Sequence, residues 1–305
     1  MSHSASAPHR RPTSLRNARG PEPNAVVTSR DNKWLKMFRA ALQGTGPRAD
    51  ELIGVEGPKL VEEAVRSGLE AEALLVSESG EREAARVLSA ASESDAGISR
   101  SRILRTTDKL FESVAGTDTP QGVAALFRQR EWNLEDVLRG PGAMRESEPL
   151  VAVLAGVQDP GNVGTILRSA EAFGATGAVA TRGTADPWSP KALRASAGSA
   201  LRLPVLRGMA VPILLAQLKL AGVKVYAATS QRGPASEDVS QAIDLCGPSA
   251  IFIGNEGSGL PPEIERAADG TISIPTAGAV ESLNAGIAAS IVLYEAARQR
   301  RLSDV

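Results

Sequence analysis

The segment Leu154–Ala175, LAGVQDPGNVGTILRSAEAFGA, decides the fold. An apolar run stops at Asp159-Pro160-Gly161, and a helical pattern follows with Asn162 read as its N-cap. Val163, Ile166, Leu167, Ala170 and Phe173 recur at helical spacing and predict the buried stripe. Strand, tight turn and amphipathic helix form the repeating unit of an α/β fold with a parallel sheet. Arg168 stands beside the stripe. Helical side chains lean toward the helix N-terminus, so its guanidinium reaches back toward the turn. Ligands of open parallel sheets bind at that end, outside the strand C-termini. A plainer reading leaves Arg168 in a surface ion pair with Glu171.

The unit recurs downstream. Apolar runs predict strands at 151–157, 177–181, 224–229, 249–255 and 272–275. Helices are predicted near 162–174, 190–197, 211–221, 261–267 and 282–300. Strands that are apolar throughout belong to a parallel sheet covered on both faces. Residues 150–305 are thus one large domain. Upstream, residues 31–132 hold a smaller α/β domain with strands at 52–57, 71–77 and 123–127. Its helices are predicted from Pro58, over 81–91 and in TTDKLFESVAG. Residues 133–149 are polar, contain Gly-Pro-Gly and read as a linker. Residues 1–30 are rich in Arg, Ser and Pro without apolar period and read as a disordered tail.

Composition removes several chemistries. The 305 residues include two histidines, His3 and His9, both in the tail. Ser-His-Asp and Cys-His nucleophiles and histidine-ligated metals are therefore excluded from the folded part. A single cysteine, Cys246, excludes an internal disulfide and a cysteine zinc site, and no metal is expected. No apolar run is long enough to span a bilayer, and no secretory signal is evident, so the expected location is cytoplasmic. Net charge is −1, with a surplus of Lys and Arg confined to residues 1–30. Bulk charge does not announce a nucleic-acid partner. Any such contact must come from local patches such as SRSRILR (99–105) and the tail.

Two further corners resemble the first in design. IFIGNEGSGLPPEI (251–264) ends a buried strand with Gly254, Gly257 and Gly259 before a helix opened by prolines. It is neither a P-loop nor a dinucleotide fingerprint. Glu256 inside it repels phosphate and suits a positively charged ligand or an arginine such as Arg168. In ISIPTAGAVESLNAGIAASIVLYEAARQRR (272–301), a strand ends at Ile274-Pro275, a small-residue loop follows, and Ser282 reads as the N-cap of a long helix. Ser282 and Asn284 bring a hydroxyl and an amide beside free helix N–H groups. Each corner alone is also explained by ordinary packing. Three at the strand C-termini of one sheet point to one site.

These three stretches, in this order and spacing, resemble the SpoU/TrmH branch of the SPOUT methyltransferases. NVGTILRSAEAFGA is similar to its first motif, IFIGNEGSGLP to its second and IPTAGAVESLNAGIAASIVLYE to its third. More loosely, GVEGPKLVEEA and TDTPQGVAAL resemble the family's ribosomal-protein-L30e-like substrate-binding domain. The resemblance implies an α/β SPOUT domain with a deep trefoil knot, which strand counting does not give. It implies methyl transfer from S-adenosylmethionine to a ribose 2′-hydroxyl of RNA by a homodimer. Carried over, Gly254, Asn255, Gly259, Ile274 and Leu283 hold the cofactor. Arg168 serves the nucleophilic hydroxyl, Asn162 shapes the corner, and Glu256, Ser282 and Asn284 position Arg168 and the RNA phosphate. Arginine is too weak an acid to act as a base. Electrostatic support of the developing alkoxide suits it better, with RNA phosphate or water taking the proton. Ribosomal RNA leads as substrate and transfer RNA stays open. A Rossmann-like nucleotide-cofactor enzyme and a non-catalytic RNA-binding protein are the other readings. With ten aromatic residues in all, RNA contact should rest on phosphates more than on stacking.

Overall fold

The computed structural model describes residues 24–44, 52–93, 102–141, 148–229, 236–238, 243–277 and 282–303. In chain order the first half contains β1 (Asn24–Val26), α1 (Lys33–Gln43), β2 (Leu52–Glu56), α2 (Pro58–Arg66) and β3 (Ala71–Ser77). There follow α3 (Glu81–Glu93), β4 (Arg102–Thr106), α4 (Asp108–Glu112), β5 (Val123–Arg128) and α5 (Leu134–Arg139). The second half opens with β6 (Leu150–Ala155), α6 (Pro160–Ala172), β7 (Gly177–Thr181), α7 (Pro190–Ser196) and α8 (Ser199–Arg202). It continues through β8 (Val205–Met209), α9 (Val211–Leu220), β9 (Lys224–Thr229), β10 (Ser236–Asp238) and β11 (Ser249–Gly254). It closes with α10 (Pro262–Ala267), β12 (Gly270–Ser273) and α11 (Ala285–Ser303).

Two sheets result. The first is mixed, in the order β1-β4-β3-β5-β2, with β5 antiparallel to both β3 and β2. The second is parallel throughout, in the order β10-β12-β9-β11-β6-β7-β8. Its interior strand β6 explains the apolar run in the sequence. On β6, Leu150, Ala152 and Leu154 face one core, while Val151, Val153 and Ala155 face the other. Both faces are buried, so neither set can be polar. Strand order reverses between β6 and β11, which lie side by side with Ala155 opposite Gly254 as their last pair. That reversal opens a crevice beyond their C-terminal ends.

The two halves touch. One continuous apolar cluster runs from Val55, Val61 and Phe127 in the first to Leu154, Ile166 and Leu193 in the second. Arg202 clasps the seam. Its Nε and one terminal nitrogen reach the two Glu171 oxygens at 2.6 and 2.8 Å, and its other nitrogen meets Glu63 of α2 at 2.6 Å. This hold on both carboxylate oxygens keeps the Glu171 pKa below the ordinary glutamate value, against the opposing effect of burial.

Several sequence expectations need correction. Residues 24–26, assigned to the disordered tail, form β1 beside β4; residues 1–23 lie outside the described residues. Of the patch 99–105, residues 102–105 lie in β4, where Arg105 meets Glu81 at 2.7 Å and Arg102 lies over the Trp34 ring; residues 99–101 lie outside the described residues. The linker contains α5, opened by a reciprocal Asn133–Asp136 capping box, with Val137 fully buried under the second sheet. Strand β8 escaped notice because Arg207 and Gly208 interrupt its apolar pattern at the sheet edge. Residues 278–281, within the third of the family-like stretches, lie outside the described residues. Among the described residues, no helix is long and apolar enough to cross a membrane.

Candidate active site

The first corner begins one turn earlier than the sequence suggested. Asp159 caps α6, its carboxylate accepting the Gly161 N–H at 3.1 Å, with Pro160 in the first helical position. Asn162 is therefore not the cap. It lies inside the first turn, 8% exposed, and its amide is free for longer-range bonds. Glycine at 164 lets α6 approach α7 closely, since a Cβ there would lie 2.4 Å from the Ala192 carbonyl oxygen.

The second corner is a self-closed hairpin. Asn255 and Gly259 exchange backbone hydrogen bonds at 2.9 and 3.0 Å. The Asn255 side chain accepts from the N–H groups of Gly257 and Ser258 at 2.9 Å each, and donates to the Gly156 carbonyl at 3.0 Å. Two glycines permit this. A Cβ on Gly254 would sit 2.4 Å from the Gly259 carbonyl carbon, and Gly259 itself has φ +70°.

At the third corner Asn284, not Ser282, caps the helix. Its side-chain oxygen accepts from the N–H groups of Gly286 and Ile287 at 2.9 and 3.3 Å. Ser282 is exposed two residues upstream.

A single chain of hydrogen bonds joins the corners. The Asn284 amide donates to the Asn162 side-chain oxygen at 3.0 Å, and the Asn162 amide donates to Glu256 Oε1 at 2.8 Å. The Glu256 carboxylate also accepts from the N–H groups of Gln158 and Asp159 at 3.2 and 3.3 Å. Burial works against its charge. The bonds from Asn162, from its own backbone and from Gln158 and Asp159 outweigh that and hold its pKa below the usual glutamate value.

Beside this chain lies a cavity of about 660 Å³. Gly254, Asn255, Gly259, Ile274 and Leu283 all line it, as do Glu256, Ser282 and Asn284. Asn162 and Arg168 are outside the lining. The Arg168 side chain is exposed on α6 and, among the described residues, makes neither a hydrogen bond nor an ion pair. The two partners considered for it are engaged elsewhere: Glu171 holds Arg202, and Glu256 takes amides. Next to Arg168, Ser169 meets Ser290 of α11 at 2.6 Å, which fixes the two helices side by side.

Residues 149–294 match the model of the SpoU rRNA methylase family, and residues 47–125 match the MRM3-like substrate-binding domain. The 23S rRNA (guanosine(2553)-2'-O)-methyltransferase RlmP of Bacillus subtilis is 33% identical over 79% of this chain and 86% of its own. The chain belongs to the SpoU rRNA methylase family. Among solved structures, an AdoMet-bound rRNA methyltransferase from Sinorhizobium meliloti superposes with a TM-score of 0.75 at 32% identity, covering 91% of this chain and 98% of that one. The SpoU methyltransferase AviRb from Streptomyces viridochromogenes gives 0.74 at 28% identity, covering 89% and 99%.

In this SpoU chain the sequence pointed to the residues around the cavity but missed two neighbours. Asp159 was seen as part of a turn, yet it caps α6 and pairs with Lys191 at 2.6 Å. That pairing, more than the cap bond to Gly161, holds the Asp159 pKa below the usual aspartate value. An Asp-Pro pair ahead of a helical stripe was the signal available for the cap. Glu265 of α10 also lines the cavity. It looks like an ordinary surface acid in sequence, and no local pattern marks it.

Proposed function

We propose that this chain is an S-adenosylmethionine-dependent RNA 2′-O-methyltransferase acting on ribosomal RNA. The Asn284–Asn162–Glu256 chain carries this reading: it ties three loops from separate strands around one cavity at the reversal of strand order. The cavity suits the cofactor. Its volume falls within the usual range for small-molecule sites. Apolar side chains of Ile253, Ile272, Ile274 and Val292 line it beside a glycine hairpin, and Glu256 and Glu265 favour a cationic sulfonium. Gly254, Asn255, Gly259, Ile274 and Leu283 hold the cofactor in this reading. When bound, it supplies an electrophilic methyl group.

In this reading Arg168, whose side chain is unpaired among the described residues, supports negative charge on the ribose oxygen as its proton leaves to RNA phosphate or water. Asn162, Glu256 and Asn284 hold the first corner, and hence α6, against the cavity. Ser282 at the lip offers a hydroxyl to RNA phosphate. Residues 31–132 serve as the substrate-binding domain and 150–305 as the methyltransferase domain, which carries the trefoil knot. We read the working form as a cytoplasmic homodimer. The exposed Ile287 and Tyr294, two turns apart on α11, support that reading.

The test is transfer of labelled methyl from S-adenosylmethionine to purified ribosomal and transfer RNA, followed by nucleoside analysis. The expected product is a ribose-methylated nucleoside from ribosomal RNA. Label on a base refutes the 2′-O assignment, and label confined to transfer RNA refutes the ribosomal one.

A further inference from the structure

A second cleft, of about 450 Å³, lies where the two halves meet. One wall is the start of α7, with Ser189, Lys191 and Arg194, next to Pro160 of α6. The facing wall is the end of α1 and the loop 115–118. That loop is fixed, because Glu56 accepts hydrogen bonds from the Gly116 N–H and the Thr117 hydroxyl. Among the lining residues the one carboxylate is Asp118, on the facing wall. The Arg194 side chain is exposed and, among the described residues, makes neither a hydrogen bond nor an ion pair. Lys191 sits one turn away, its Nζ 2.6 Å from Asp159 Oδ1. The Asp159 N–H in turn donates to Glu256. The cleft therefore carries two cations on one helix face and adjoins the corner that holds the site.

We propose that this cleft grips the sugar-phosphate backbone of the RNA beside the target nucleotide, with Arg194 and Lys191 on neighbouring phosphates. Residues three apart on a helix lie about 5–6 Å apart at Cβ, a spacing that suits consecutive phosphates of one strand. Arg194 offers the planar fork that recognises phosphate, and Lys191 a mobile point charge. Lys191 exchanges Asp159 for phosphate when RNA arrives. The strand so held runs along the seam toward Arg168. Both residues are positioning residues and do not touch the reacting atoms.

This rests on the RNA-methylation reading above, and its test separates the two. RNA affinity is measured against salt concentration for the full chain, together with kcat, the KM for RNA and the affinity for S-adenosylmethionine. Arg194→Ala should reduce the slope of log K against log salt by about one unit, the loss of one phosphate contact. KM for RNA should rise while kcat and cofactor affinity hold. Arg194→Lys should recover the slope, and Lys191→Ala should reproduce the loss. A wild-type protein that transfers no methyl to RNA overturns the underlying reading. An active wild type whose salt slope Arg194→Ala leaves unchanged overturns this inference alone.

Discussion

Asn284 donates its side-chain amide to the Asn162 side-chain oxygen at 3.0 Å, joining the cap of the last helix to the first turn of α6, 122 residues earlier in the chain. Asn162 passes the link on to Glu256. The middle member must therefore be both acceptor and donor, a requirement that an amide meets and a carboxylate does not.

Asn162→Asp tests this directly. Its carboxylate would stand where an amide now donates to Glu256 at 2.8 Å. Two carboxylates at that distance raise the pKa of one of them, and the pair takes up a proton as pH falls. In the native protein the Glu256 pKa is lowered, so its bonds stabilise the fold above the ordinary glutamate pKa. That contribution is lost as pH falls through the lowered folded-state value. Wild-type activity should thus show no Glu256 titration near neutrality, while the variant, impaired at about pH 8, should recover toward about pH 5.5. Parallel pH–rate profiles for the two proteins would count against the hydrogen-bond chain.

Arg168→Ala should lower methyl transfer by about 10²–10³-fold, the effect of removing one preorganised donor from a developing oxyanion. Cofactor affinity, measured by calorimetry, should hold, since Arg168 lies outside the cavity lining. Arg168→Lys should recover part of the rate, because a single ammonium lacks the guanidinium fork. Undiminished turnover in the alanine variant would remove Arg168 from the reaction.

Two glycines of one hairpin should behave differently. At Gly254 an added Cβ would meet Gly259 backbone atoms at 2.4 and 2.6 Å, which cannot yield without opening the hairpin. Gly254→Ala should weaken cofactor binding by at least about tenfold, or about 1.4 kcal/mol. At Gly257 the nearest atom is Asn255 Oδ1 at 3.5 Å, an ordinary contact. Gly257→Ala should bind normally. Equal losses at both positions would show that the hairpin geometry does not control affinity.

Arg300 governs stability away from the site. Its guanidinium donates to the carbonyls of Leu245, Pro149, Gly247 and Glu148 at 2.9, 2.9, 2.7 and 2.5 Å. Burial lowers its pKa from the ordinary arginine value. Arg300→Ala should cost at least about 2 kcal/mol in denaturant unfolding, because carbonyls are left without a charged donor. Amide exchange should rise over 243–249. A variant as stable as wild type, with unchanged exchange there, would contradict this.

The larger sheet was legible because burial on both faces makes its strands uniformly apolar, as at Leu150–Ala155. The site was legible because glycines and polar side chains gather where those runs end. What escaped was set by distant contacts. Asn162 and Asp159 both suit a cap, and the Asp-Pro pair takes it, which a short-range pattern does not rank. The same holds for Ser282 and Asn284. Glu256 and Arg168 looked complementary in charge, yet a buried amide across the crevice reaches the carboxylate. Helix α5 spans six residues with a polar profile, and it holds because Val137 docks under a sheet built later in the chain.

The Arg202 clasp gives the molecule the character of a pair of callipers. With Glu63 and Glu171 sharing one guanidinium, the part of the protein that would grip RNA and the part that would modify it keep a set span. On the function proposed above, the ribose chosen would then follow from a distance measured along folded RNA, and a neighbouring nucleotide of identical chemistry would be passed over because it lies at the wrong reach.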